Sequence, residues 1–151
     1  MFSDLNDLYQ ELILDHNAKP HNFGKIDKPS HMACGHNPLC GDKLIVFIKI
    51  KFSKILDVKF KGEGCAISKA AASMMTDVIK NKTLVEVDRL FNKFHLLLTS
   101  DEKDIQDIEL LGKLAAFRGV KQFPIRIKCA TLAWHTMKAA LGKNSENIST
   151  E

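Results

Sequence analysis

In Lys43-Leu44-Ile45-Val46-Phe47-Ile48-Lys49-Ile50-Lys51-Phe52-Ser53-Lys54-Ile55-Leu56-Asp57-Val58-Lys59-Phe60-Lys61-Gly62-Glu63-Gly64-Cys65 one periodicity gives way to another. Leu44, Val46, Ile48 and Ile50 alternate along one face, and lysines recur on the other, which is the pattern of a half-buried strand. Ile55, Val58 and Phe60 continue it beyond a turn at Ser53-Lys54, so the two runs read as an antiparallel hairpin. After Gly64 the period lengthens. Ile67, Ala71, Met74 and Val78 recur at helical spacing to about Lys80, and the Ala-Ser content of that helix allows close packing on the sheet.

Working outward, Leu5, Leu8, Tyr9, Leu12 and Ile13 predict an amphipathic helix from about Asp4 to His16, capped by Ser3 or Asp4. Pro20 and Gly24 end it in a loop, and a short strand is expected near His31 to His36. Downstream, Thr83 and Glu86 have capping-box spacing and open a helix with the stripe Leu84, Val87, Leu90, Phe91, Phe94 and Leu98. Ser100 to Gln106 reads as a flexible loop. Ile108, Leu111, Leu114 and Ala115 suggest a fourth helix ending near Arg118-Gly119, and Gln122-Phe123-Pro124 interrupts helicity. A last helix is expected from Ala130 to Leu141, stopped by Gly142. Residues 1–143 read as a single domain without internal repeats, and 144–151 as a flexible tail.

A chain of 151 residues holds one domain with a sizeable core. With 45% hydrophobic and 26% charged residues its balance is that of a soluble globular protein. No apolar run approaches the ~20 residues of a membrane span, and Met1-Phe2-Ser3-Asp4 is unlike a signal peptide, so a cytoplasmic address and no membrane partner are expected. In that reducing compartment the four cysteines are better explained by metal binding or reactivity than by disulfides. Lys43, Lys49, Lys51, Lys54, Lys59 and Lys61 read as the solvated face of a sheet. A solvated face of this kind argues against nucleic acid as a partner.

Three cysteines fall where a loop becomes a regular element: Cys40 in Asn37-Pro38-Leu39-Cys40-Gly41-Asp42, Cys65 after Gly62-Glu63-Gly64, and Cys129 in Arg126-Ile127-Lys128-Cys129-Ala130. Gly41 permits the tight backbone that points Cys40 and Asp42 at one ion. Cys65 and Cys129 are expected at helix N-termini, where free N–H groups and the helix dipole favour the thiolate. Three thiolates and a carboxylate suit tetrahedral Zn²⁺ or a small iron–sulfur cluster, and Arg126 and Lys128 would offset the excess negative charge. Singly, each residue has an ordinary reading: C-x-D recurs by chance, and Cys65 fits as a small residue packed under a glycine turn. Cys34 lies within a possible strand and reads as core. His135 reads as structural or exposed rather than as a ligand, and Met74-Met75 reads as core packing.

From Leu8 to Leu141 the chain resembles the NifU N-terminal, IscU/SufU family of iron–sulfur assembly proteins. The resemblance rests on Leu8-Tyr9, Ile13, Asp15-His16, Asn37-Pro38, Cys40-Gly41-Asp42, Gly62-Glu63-Gly64-Cys65-Ala66-Ile67-Ser68, Ala72-Ser73-Met74-Met75 and Arg126-Ile127-Lys128-Cys129-Ala130-Thr131-Leu132. It implies an α+β fold: a small antiparallel three-stranded sheet with helices packed on one side, and the three cysteines converging at an exposed end. The IscU branch carries a histidine before its third cysteine and a Leu-Pro-Pro-Val-Lys signal upstream. Here Lys128 and Phe123-Pro124-Ile125-Arg126-Ile127 stand in those places, and the interval between Cys65 and Cys129 is longer, with an extra region including Ser100 to Leu114. These departures resemble the SufU branch.

That likeness implies zinc on Cys40, Asp42, Cys65 and Cys129, with Arg126 near the site, and a sulfurtransferase role taking persulfide sulfur from a SufS-like cysteine desulfurase towards downstream assembly proteins. Because a zinc-held thiolate is a muted nucleophile, docking is expected to supply a replacement ligand and release Cys40, on the most mobile loop, as sulfur acceptor. Two alternatives share the ligands: a scaffold that assembles a [2Fe–2S] cluster or carries iron, and a purely structural zinc domain.

Overall fold

The computed structural model describes residues 2–101, 105–142 and 147–149, with side chains for 9–101 and 105–142. Helix α1 (Phe2–Ala18) precedes strands β1 (His31–Asn37), β2 (Asp42–Lys51) and β3 (Lys54–Glu63). Helices α2 (Ala66–Ile79) and α3 (Leu84–Thr99), a 3-10 segment (Ile108–Gln122), α4 (Pro124–Leu141) and a short β4 (Asn147–Ser149) follow. Among the described residues no helix is long and apolar enough to cross a membrane.

The three expected strands form the antiparallel sheet β3-β2-β1 of an α+β fold. Phe52 and Ser53, both left-handed, make a two-residue hairpin turn one position earlier than the sequence suggested. Strand parity then puts Leu44, Val46 and Ile48 of β2 beside Val58 and Phe60 of β3 on the buried face, while Lys43, Lys49, Lys51, Lys54 and Lys61 stay exposed.

Close packing places the helices. A Cβ added at Gly35 would lie 2.0 Å from Thr136 Oγ1, so only glycine in β1 lets α4 sit this near the sheet. Ala70, Ala71 and Ala72 are fully buried on α2, as its small-residue composition implied. Behind them Trp134 stacks on Phe94, with centroids 5.2 Å apart, and Phe117 meets Phe94 edge-on. Each such buried side chain contributes about 1.5–3 kcal/mol. Thr83 and Glu86 form the expected capping box of α3.

Three expectations need correction. The fourth helix is a 3-10 segment broken at Gly112: its buried residues, Leu111, Leu114, Phe117 and Val120, recur every third position, the period of a 3-10 rather than an α-helix. Helicity does break at Phe123, but the last helix, α4, begins at Pro124 rather than Ala130, because proline at the first helical position loses no hydrogen bond. Cys34 is no core residue: Ala33 and Gly35 face the helices, so Cys34 points half-buried to the open face. Among the described residues, β4 pairs in parallel with Cys34, Gly35 and His36 of β1. The tail's other positions (144–146, 150–151), and 102–104 of the expected Ser100–Gln106 loop, lie outside the described residues.

Candidate metal centre

The β1–β2 turn supplies the first two groups. Asn37 and Asp42 pair at its base, the Asn37 carbonyl accepts from Cys40 N–H at 3.2 Å, and Asn37 Oδ1 accepts from Leu39 N–H at 3.3 Å. This Asx turn, with Gly41 at φ +72°, presents Cys40 half-buried above the sheet end. Asp42, the first residue of β2, faces inward and is only 1% exposed.

Cys65 arrives from β3. Its backbone N–H donates to Asp42 Oδ1 at 2.7 Å, and its Sγ lies 3.8 Å from Asp42 Oδ2. A Cβ at Gly64 would come within 2.4 Å of Asp42 Oδ1, so the glycine ahead of the cysteine exists for that close approach. Cys65 is also the N-cap of α2, accepting from Ser68 N–H at 3.4 Å.

Cys129 comes from α4. Because that helix begins at Pro124, Cys129 occupies its second turn and is buried, not at the N-terminus as expected. Its Sγ is 3.0 Å from Cys40 Sγ and accepts from Asn37 Nδ2 at 3.5 Å. Ligand atoms of Cys40, Asp42 and Cys129 lie within 4.8 Å of one another, and Cys65 joins them through Asp42 and Cys129. All four sequence candidates therefore meet at one place, and Cys34 does not.

The thiols do not ionise alike. The hydrogen bond from Cys129 lowers Cys65 to about 7, against the opposing effect of burial, and Ser68 N–H lowers it further. Cys129 is pushed up, first as the donor to Cys65, then by burial and by donation to Cys40. One thiolate thus forms readily and the next is resisted by it and by Asp42. Three thiols and a carboxylate held this closely, with Asp42 and Cys129 buried, form a donor set that a shared cation would stabilise. The soft-sulfur and carboxylate donor set fits zinc or an iron–sulfur cluster.

Of the two cations, Lys128 is half-buried, and Arg126 is exposed with its guanidinium 4.4 Å from the Phe123 ring centroid. Tyr9 is raised above its ordinary value, first by burial and further by the charges of Cys65 and Cys129, with Arg126 opposing them. Sequence reasoning missed Asn37, Gly64 and Ser68 as supports. Asn-Pro ahead of the cysteine was the legible sign of the first.

Residues 8–130 match the model of the NifU-like N-terminal domain. The chain is 38% identical to the iron–sulfur cluster assembly scaffold protein IscU of Streptococcus pyogenes serotype M1, over 95% of this chain and 88% of that one. It is equally 38% identical to the zinc-dependent sulfurtransferase SufU of Bacillus subtilis strain 168, covering 93% and 94%. The crystal structure of an iron–sulfur cluster assembly scaffold protein for the SUF system from Fervidobacterium islandicum AW-1 superposes with a TM-score of 0.79 at 35% identity, covering 89% of this chain and 96% of that one.

Proposed function

Because the chain belongs to the NifU-like N-terminal domain family, we propose that it is a zinc-binding sulfur acceptor of iron–sulfur cluster assembly, taking persulfide sulfur from a SufS-like cysteine desulfurase. The observation that carries this reading is the meeting of Cys40, Cys65, Cys129 and the buried Asp42 at one end of the sheet. Those four residues would hold zinc, which would keep the clustered thiols ionised.

The chain's own groups divide the work. Asp42, Cys65 and Cys129 are anchored to β2, α2 and α4, whereas Cys40 sits on a four-residue turn. Cys40 is therefore the group that moves outward at least cost. Its thiolate attacks the terminal sulfur of the partner's persulfide. The partner's S–S bond breaks, a persulfide forms on Cys40, and the partner's cysteine leaves as a thiolate. Arg126 and Lys128 balance the negative charge. Around the site Leu39, Phe123 and Ile125 are 60%, 45% and 57% exposed, an apolar rim suited to docking a protein partner.

Desulfurase turnover should rise when the protein is added. After incubation with desulfurase and cysteine, mass spectrometry should find the added sulfur on Cys40. Sulfur on Cys129 with Cys40 unmodified would reject the acceptor assignment.

A second reading, a scaffold building a [2Fe–2S] cluster on the same ligands, has the equal identity to the streptococcal scaffold in its favour. Colourless protein purified without oxygen and carrying about one zinc per chain supports sulfur transfer. A coloured cluster passed intact to an acceptor supports the scaffold.

A further inference from the structure

Helix α2 carries a second set of donors at its far end. Asp77 lies near its C-terminus, His16 near the end of α1, and His21 in the loop beyond. A ring nitrogen of each histidine and a carboxylate oxygen of Asp77 all lie within 4.8 Å of one another. Twelve residues of helix separate Asp77 from Cys65, about 18 Å at 1.5 Å per residue, so the two groups cannot share an ion.

The cluster is supported as metal sites are, by partners that hold each donor's other atoms. His16 is buried, with Nδ1 2.6 Å from Ser73 Oγ. Ser73 Oγ also accepts from His21 N–H at 2.7 Å, which ties the loop to the helix. A hydroxyl oxygen has two lone pairs, so it can take His16 Nδ1–H as well, which leaves the other ring nitrogen unprotonated. Asn22 Nδ2 donates to Asp77 Oδ1 at 3.2 Å and to Thr76 Oγ1 at 3.0 Å. The remaining carboxylate oxygen, Oδ2, lies 2.6 Å from His21 Nδ1.

A His21–Asp77 pair alone would explain only how the loop is pinned, and an exposed pair contributes little. It leaves unexplained why a buried imidazole, His16, stands with its ring centroid 4.5 Å from that of His21. We infer that His16, His21 and Asp77 form a second metal site, an open two-histidine, one-carboxylate set for a first-row divalent cation. Imidazole nitrogens select such ions over magnesium, and a three-donor face leaves positions for water. The side chains of His21 and Asp77 are 55% and 43% exposed, so they can part to admit an ion.

The full chain, first loaded with zinc and kept free of oxygen, is titrated with Co²⁺. One further equivalent should bind, giving visible ligand-field bands without sulfur-to-cobalt charge transfer. Excess Mg²⁺ should not displace it. His21→Gln and Asp77→Asn should each weaken cobalt binding about tenfold or more, with zinc content and circular dichroism unchanged. No second equivalent, one showing thiolate charge transfer, one displaced by Mg²⁺, or one indifferent to both substitutions overturns the site. None of these results touches the sulfur-transfer reading, which rests on the cysteines.

Discussion

The two ends of α2 hold clusters built by opposite means. At the N-terminal end, thiols from the β1–β2 turn, the α2 cap and α4 close on a carboxylate from β2, and Asp42 and Cys129 are buried. At the other end, nitrogen and oxygen donors from α1, the following loop and the last turn of α2 meet at the surface, with only His16 buried. The first cluster depends on the whole sheet register and on where α4 lies. The second depends on one helix pair and its connection. If the first cluster holds zinc as proposed, that cation would offset its gathered acidic groups, whereas a surface cluster of histidines and one carboxylate stands without one.

The largest effect should therefore come from Cys65→Ser or Cys129→Ser: zinc falls from about one per chain towards none, sulfur transfer is lost, and the melting temperature drops because bound metal no longer stabilises the native state. Cys34→Ser, on the open face, should change none of these. Metal analysis and calorimetry of the three variants would undo the contrast if Cys34→Ser proved as damaging.

Gly64→Ala tests the same end without removing a donor. Its Cβ would press on Asp42 Oδ1 at 2.4 Å and on Asp42 Cα at 3.0 Å, so the carboxylate must shift. We expect a loss of about 1–3 kcal/mol in denaturant unfolding together with reduced zinc content. Stability lost with zinc content intact would separate packing from metal binding.

Thr83→Ala serves as a control that removes a donor from neither cluster. It removes the hydroxyl that accepts from Glu86 N–H at 3.2 Å and should cost about 1 kcal/mol. In a domain of this size that is about 2–4 °C in melting temperature. Zinc content should stay the same.

The smallest effect is one of pH. His135, half-buried on α4 beside Phe91 and His95, is lowered from its ordinary value of 6.5 by burial and then by His95. A group lowered on folding binds its proton more readily in the unfolded chain. Its contribution is therefore fully present above pH 6.5 and declines as pH falls below it. His135→Gln should flatten that slope in melting temperature against pH, and an unchanged slope would assign it to other groups.

Much of this was legible because it is local. Alternation in 43–61 specified the hairpin, Thr83 and Glu86 the start of α3, and Gly41 the tight turn beside Cys40. Each depends on residues within a few positions of one another, and propensity and period act over that range. The readings of Cys34, Pro124 and 108–122 failed where a local pattern admits two structures. A strand's parity does not say which face is covered, proline both ends and begins helices, and a three-residue repeat fits a 3-10 turn as well as part of an α-helix. The sequence by itself determined which residue types could hold a soft metal. Tertiary structure alone decided that they meet: the register pairing Asn37 with Asp42 and Lys43 with Glu63, and the close seat of α4 on Gly35, carry Cys129 across to Cys40. The same long-range packing assembled the histidine cluster, because residues 16, 21 and 77 share no local pattern and become neighbours only when α1 lies against α2.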